Sequence, residues 1–224
     1  WLFIAGVTGI VGGLVGTAFN LSVSWATGTR MAHPWLLLLL PVSGLLIAGL
    51  YRLTKMENEN TNAIIDSIHF GDKVPLMLVP AIFISTTITH LFGGSAGREG
   101  AALQIGGSLG CYIGRAFRLD DKDMRLATLC GMSAVFAALF GTPLTATLFA
   151  LEVISVGVIY YSALVPCIVA SLFALEMANI FGITPTHFDV VIEPISELML
   201  LKVSALAIVC SLMSTVFCLS MHKT

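Results

Sequence analysis

The chain has 224 residues, of which 57% are hydrophobic and 11% charged, and its formal net charge is -2. A soluble domain carries about 25% charged residues, so this composition argues against one; the net charge says nothing about nucleic acid, and with no basic stripe none is expected as a partner. Asp, Glu, Lys and Arg are missing from 1–29, 31–51, 74–97, 100–114, 126–151, 153–175 and 203–221, and several of these runs reach the ~20 residues that cross a hydrocarbon core as helix.

Strand-like alternation is absent, whereas a transmembrane barrel shows ~10-residue alternating segments; the spans are therefore helical. The pattern predicts a first helix over 2–28, in which Gly9, Gly12, Gly13 and Gly16 make two GxxxG spacings suited to close packing in lipid. Arg30 and Pro34 end it. A second helix covers about 35–51 with Pro41 inside it, tolerated because membrane neighbours satisfy the freed carbonyl. Residues 52–60 read as an aqueous loop, and 61–69 as a helix too short to span, with Thr61 or Asn62 as its N-cap. Pro75 opens a helix to about Phe92. A glycine-rich break over 93–97 separates it from a helix over Arg98 to Ala116. Segment 115–125 holds seven charges, four basic and three acidic, and lies in water, with the cytoplasmic side weakly favoured. A helix over 122–139 breaks at Gly141-Thr142-Pro143, a shorter one covers 143–155, and another 159–181. After a linker at 182–194, a last helix covers 196–220. The fold class is all-α: one polytopic transmembrane bundle over 1–224, with broken and re-entrant helices. Both ends read as cut from a longer chain, because Trp1 lies inside an apolar run without signal-peptide features, and the last apolar run stops three residues before the end.

The five cysteines lie mostly in apolar runs without a CxxC pair, and the histidines lack ligand spacing, so no metal or cofactor is implied. The chemistry concentrates in Gly93-Gly94-Ser95-Ala96-Gly97-Arg98-Glu99-Gly100, which stands between two apolar helices. Arg98 and Glu99 are thereby expected at membrane depth, where ionisable residues are expensive and usually functional. The alternative is a buried Arg–Glu pair that only holds helices together. Physical logic favours an anion: the first turn of a helix has unpaired N–H groups and about half a positive charge, and glycine lets an ion approach them. A carboxylate at the same helix end competes with that ion, and protonation releases it, so Glu99 can serve as gate and proton carrier. Two further helix starts follow the same logic. One is Thr61-Asn62-Ala63-Ile64-Ile65-Asp66, equally readable as a capped surface helix. The other is Phe140-Gly141-Thr142-Pro143-Leu144, which reads as a turn between helices rather than as an ion contact.

These residues resemble a family. Gly97-Arg98-Glu99-Gly100 followed by Gln104-Ile105-Gly106-Gly107 is similar to the GREGPxxQxGG signature of the CLC chloride channels and proton-coupled antiporters. Phe140-Gly141-Thr142-Pro143-Leu144 through Leu148-Phe149-Ala150-Leu151-Glu152 resembles the family's FNAPLAGxLFxxE segment. The resemblance implies transport of chloride or fluoride across a bacterial cell membrane, coupled or not to protons, by a homodimer with a pore in each subunit. It implies Glu99 as the gating and proton-carrying residue. It implies an anion held by the starts of two helices: Gly97, Arg98, Gly100 and Ala101 at one, Asn62 and Ala63 at the other. The chain would supply the first of two inverted repeats plus the opening helix of the second. Three positions depart from the pattern. Ala101 replaces a proline, Asn62 a filter serine, and Val153 follows Glu152 where many chloride/proton antiporters have a second, inward-facing glutamate. The last departure resembles channels and also the bacterial fluoride/proton antiporter branch, and the wording THLFGGSAGREG resembles bacterial members of that branch.

Two other readings compete. A membrane enzyme or metal transporter needs clustered His, Asp, Glu or Cys at ligand spacing, and neither that cluster nor a GxxxxGK[ST] nucleotide loop occurs. The other is a non-conducting scaffold, a truncated remnant. Since the ion site of an inverted-repeat transporter forms between its halves, residues 1–224 alone are expected not to make a working pore.

Overall fold

The computed structural model describes residues 1–55, 75–153, 160–183 and 196–223. Eight α-helices run through them: α1 (Leu2–Ala32), α2 (Leu40–Thr54), α3 (Leu78–Leu91), α4 (Glu99–Ala116), α5 (Asp121–Phe140), α6 (Pro143–Glu152), α7 (Tyr161–Ile180) and α8 (Glu197–Lys223). A 3-10 helix, Pro34–Leu39, leads into α2. No strand occurs among the described residues, and the all-α expectation holds. Residues 1–186 form one unit and 187–224 a second. Five segments are long and apolar enough to cross a membrane: Leu2–Ala32, Pro34–Thr54, Asp121–Phe140, Tyr161–Ile180 and Glu197–Met221. At 1.5 Å per residue α1 is roughly 46 Å long, more than the hydrocarbon thickness. The 14 residues of α3 and 10 of α6 are too few to cross ~30 Å.

Within the first unit α5 is the central helix, packed by α1, α4, α6 and α7. All thirteen residues from Ala127 to Leu139 are buried, so this helix is apolar on every side because every side is covered. Asp120 starts it, its Oδ1 accepting from the Asp123 N–H at 2.8 Å. Gly141 stops it in the left-handed region at φ 72°. Pro143 then occupies the first turn of α6, where a missing N–H is harmless.

The two GxxxG spacings of α1 serve two different neighbours. A methyl on Gly13 would lie 2.8 Å from Ala174 Cα, and Gly9 meets the same helix, α7. A methyl on Gly12 or Gly16 would lie 2.8 Å or 2.9 Å from Ala134 or Ala138 Cβ of α5. The seam between α4 and α5 is tighter still, because Gly106, Gly110 and Gly131 bring backbone against backbone. A methyl on Gly131 would stand 2.8 Å from both Cα and N of Gly110 and would overlap the Gly106 carbonyl. Lipid offers helices no hydrophobic drive to associate, so this close packing supplies it.

Two expectations are corrected. Arg30 does not end α1 but sits in its last turn, where a cation suits the negative end of the helix dipole. Pro41 is not inside a helix but in the first turn of α2, so no interior hydrogen bond is lost there. Helix α2 also continues through Thr54, and Lys55 caps it in the left-handed region at φ 55°.

Candidate functional site

The break before α4 is built by glycine. Gly93 has φ 78°, its N–H donates to the His90 carbonyl at 3.3 Å, and the Gly94 N–H donates to the Thr89 carbonyl at 2.8 Å. These two bonds are the Schellman closure of α3, and the left-handed residue between them is best a glycine. The Arg30 side chain lies against this turn, its Cδ 3.1 Å from where a Gly93 Cβ would be. Its Nε is buried without a hydrogen-bond partner among the described residues.

Arg98 is the N-cap of α4, and no side chain caps that helix. The first helical bond runs from the Ala102 N–H to the Arg98 carbonyl at 2.9 Å. The N–H groups of Arg98, Glu99, Gly100 and Ala101 therefore have no acceptor within the helix. They carry the positive end of its dipole. Glu99 is exposed, and its carboxylate turns back over Gly97, where Oε2 takes the space a Cβ would need. Ala101 is buried in the core, leaving its N–H as what it can offer a ligand.

Gly97, Arg98, Glu99, Gly100 and Ala101 thus stand together at one helix start, as the sequence implied. Asn62 and Ala63, with the rest of the 61–69 segment, lie outside the described residues. The other expected break, at 141–143, falls where the sequence placed it, as a turn between two helices. Phe140 lies under Arg98, with the guanidinium carbon 5.6 Å from the ring centroid. Such a stack is worth about 0.5–2 kcal/mol and holds the cation in place without neutralising it.

Arg98 also lines a cavity of about 350 Å3 with Asn20, Ser24, Leu139 and Ile183. Asn20 is fixed there: its Nδ2 donates to the Leu139 carbonyl at 3.1 Å, and its Oδ1 accepts from Ser24 Oγ at 3.3 Å. The Leu139 carbonyl belongs to the last turn of α5, where carbonyls lack helical donors. Sequence reasoning missed Asn20 and Ser24, and it did not pair Phe140 with Arg98. The available signal was the i, i+4 spacing of Asn20 and Ser24 within a charge-free run, Asn20 being its one amide side chain. At the far end of this region α6 stops at Glu152, with Val153 as its C-cap. Among the described residues no group of three His, Cys, Asp or Glu is placed to hold a metal.

The family model described as voltage gated chloride channel matches residues 43–224. A chloride/fluoride channel protein of Pseudomonas syringae pv. tomato is 40% identical over all of this chain and 50% of its own length. An H(+)/Cl(-) exchange transporter, ClcA, of Salmonella schwarzengrund is 34% identical over 67% of this chain and 35% of its own. The chain thus spans about half the length or less of these curated relatives. Among solved structures, a CLC-type fluoride/proton antiporter superposes with a TM-score of 0.83 at 31% identity, covering 92% of this chain and 53% of that one. A slow cyanobacterial Cl-/H+ antiporter shares the fold, with a TM-score of 0.64 at 20% identity over 82% of this chain and 47% of its own. The matched relatives are bacterial, and the long apolar helices make this a multi-pass membrane protein. By the family model over residues 43–224 and by 40% identity along its whole length, the chain belongs to the voltage gated chloride channel (CLC) family.

Proposed function

We propose that this chain is half of a proton-coupled anion transporter, that fluoride is its preferred cargo over chloride, and that Glu99 is both gate and proton carrier. The observation that carries the reading is the carboxylate of Glu99 folded back over Gly97 at a helix start with free N–H groups. An anionic carboxylate and a small permeant anion want the same donors, so one excludes the other. A proton on the carboxylate removes its charge and its attraction to the donors. The side chain turns away, the anion enters, and the proton travels with the side chain. Arg98, held over Phe140, gives the adjoining cavity a positive wall that draws anions in.

Two residues favour fluoride. Alanine at 101 keeps an N–H that proline lacks, and an amide at 62 offers two donors where serine offers one. Fluoride, the more strongly hydrated ion, needs more donors to replace its water. The similar solved structure named as a fluoride/proton antiporter supports this reading, and the 40% identical relative is named for both ions. The working assembly is a homodimer in the bilayer with a pore in each subunit.

The test is reconstitution in liposomes with fluoride, chloride and pH followed together. A proton gradient should drive fluoride uphill, and Glu99→Gln should end proton movement while leaving passive anion flux, because an amide neither carries a proton nor competes as an anion. Proton movement undiminished in Glu99→Gln would remove Glu99 from both roles.

A further inference from the structure

The cavity beside Arg98 is unusual for a protein this apolar, because most of its wall is polar. Four parts of the first unit meet there: Asn20 and Ser24 of α1, Arg98 at the start of α4, Leu139 at the end of α5, and Ile183 after α7. Among the described residues no carboxylate pairs with Arg98; its partner is the Phe140 ring, which leaves the charge uncancelled. A guanidinium carries five N–H donors, and a ring beneath it uses little of that capacity. Asn20 spends one N–H on the Leu139 carbonyl and its oxygen on Ser24, so its second N–H remains. A cation held at membrane depth without a counter-charge is costly, and an anion taken from solution offsets that cost.

The volume, about 350 Å3, decides how an anion is held. Water takes about 30 Å3 in the liquid, so the cavity has room for an ion together with several of its waters. The helix start offers the reverse, bare N–H groups that replace water. Charge acts through water and at a distance, whereas hydrogen-bond donors act at contact. A cavity that works by charge therefore takes monovalent anions alike, and selection is left to the helix start.

We infer that this cavity is a second anion site, which holds one monovalent anion with part of its hydration shell beside Arg98 before that ion reaches the α4 donors. Arg98 supplies the charge, and Asn20 and Ser24 hold the retained waters. The ion's destination rests on the transport reading, but occupancy of the cavity does not.

Crystals of the full-length protein soaked in bromide test occupancy, because bromide scatters anomalously. One bromide should appear in the wild-type cavity, vanish in Arg98→Gln and in Ser24→Asp, and persist in Ser24→Lys. Ser24 is exposed on α1, so its changes spare the core. In liposomes one added charge at this range should shift the KM for the transported anion roughly three- to tenfold, up in Ser24→Asp and down in Ser24→Lys, and by more than it shifts kcat. A purely structural role for Ser24 would move both variants in the same direction. No bromide in the wild-type cavity, equal bromide in Arg98→Gln, a carboxylate of the full-length chain seated on Arg98, or KM shifts of one sign would each overturn the site. Bromide in place with fluoride transport absent would instead sink the transport reading and leave this site standing.

Discussion

Substituting Gly131 by alanine should damage the protein more than its size suggests. The new Cβ would stand 2.8 Å from Cα and N of Gly110 and inside the Gly106 carbonyl. Ordinary carbon contacts are about 3.5–4.0 Å, so α4 and α5 must part by roughly 1 Å. The obstructing atoms are backbone, which cannot rotate aside, so the cost falls near the upper end of the about 1–3 kcal/mol for overpacking. Alanine returns about 0.5–1 kcal/mol of helix preference. The net loss is about 2 kcal/mol, or about 4–8 °C in Tm for a chain of this size. Gly49→Ala is the matched control, because no atom lies within 4 Å of its added methyl. There the helix preference acts alone and Tm should rise by about 1–4 °C. Thermal melts followed by size-exclusion chromatography in detergent measure both. A Gly131→Ala protein as stable as the parent, or equal responses at the two sites, would refute the backbone-contact argument.

Other outcomes follow from the site. Gly97→Ala fills the space under the Glu99 carboxylate, so that group should leave its resting place and anion flux should lose its pH dependence by severalfold, measured in the same liposome assay. Asn62→Ser should shift the fluoride-to-chloride flux ratio towards chloride; an unchanged ratio returns Asn62 to a plain helix cap. Asn20→Leu removes the donor to the Leu139 carbonyl and leaves a part-buried acceptor unpaired, which should lower stability by about 1–3 kcal/mol in a denaturation melt. Leucine keeps the same branched heavy-atom skeleton and is no smaller, so the loss does not come from a cavity.

The break at 93–98 was legible because its signals are local: glycines in an apolar run, then two charges, then a new apolar run. The GxxxG spacings of α1 were legible for the same reason, although not that each would serve a different neighbour. Pro41 misled because a proline's meaning depends on whether it stands at the first turn or beyond, and the boundary was misplaced by the 3-10 lead-in at Pro34–Leu39. Arg30 misled because a charge after an apolar run resembles a boundary, while its aliphatic stem packs on Gly93 from another part of the chain. Asn20 and Leu139 are 119 residues apart, and Arg98 and Phe140 are likewise joined only by the fold. No periodicity encodes such pairs, so the cavity beside Arg98 had to be seen to be found.

The glycine seam has a kinetic meaning. Helices that meet backbone to backbone have no layer of side chains over which to slide. The N–H groups at the start of α4 are therefore held in register by α5. What turns at that end is the exposed Glu99 side chain, and exposed rotamers flip in ps–ns, whereas helices shift in μs–ms. If Glu99 carries the proton as proposed, a fixed helix start leaves proton arrival at that carboxylate as the slow step, and buffer concentration should then govern the transport rate.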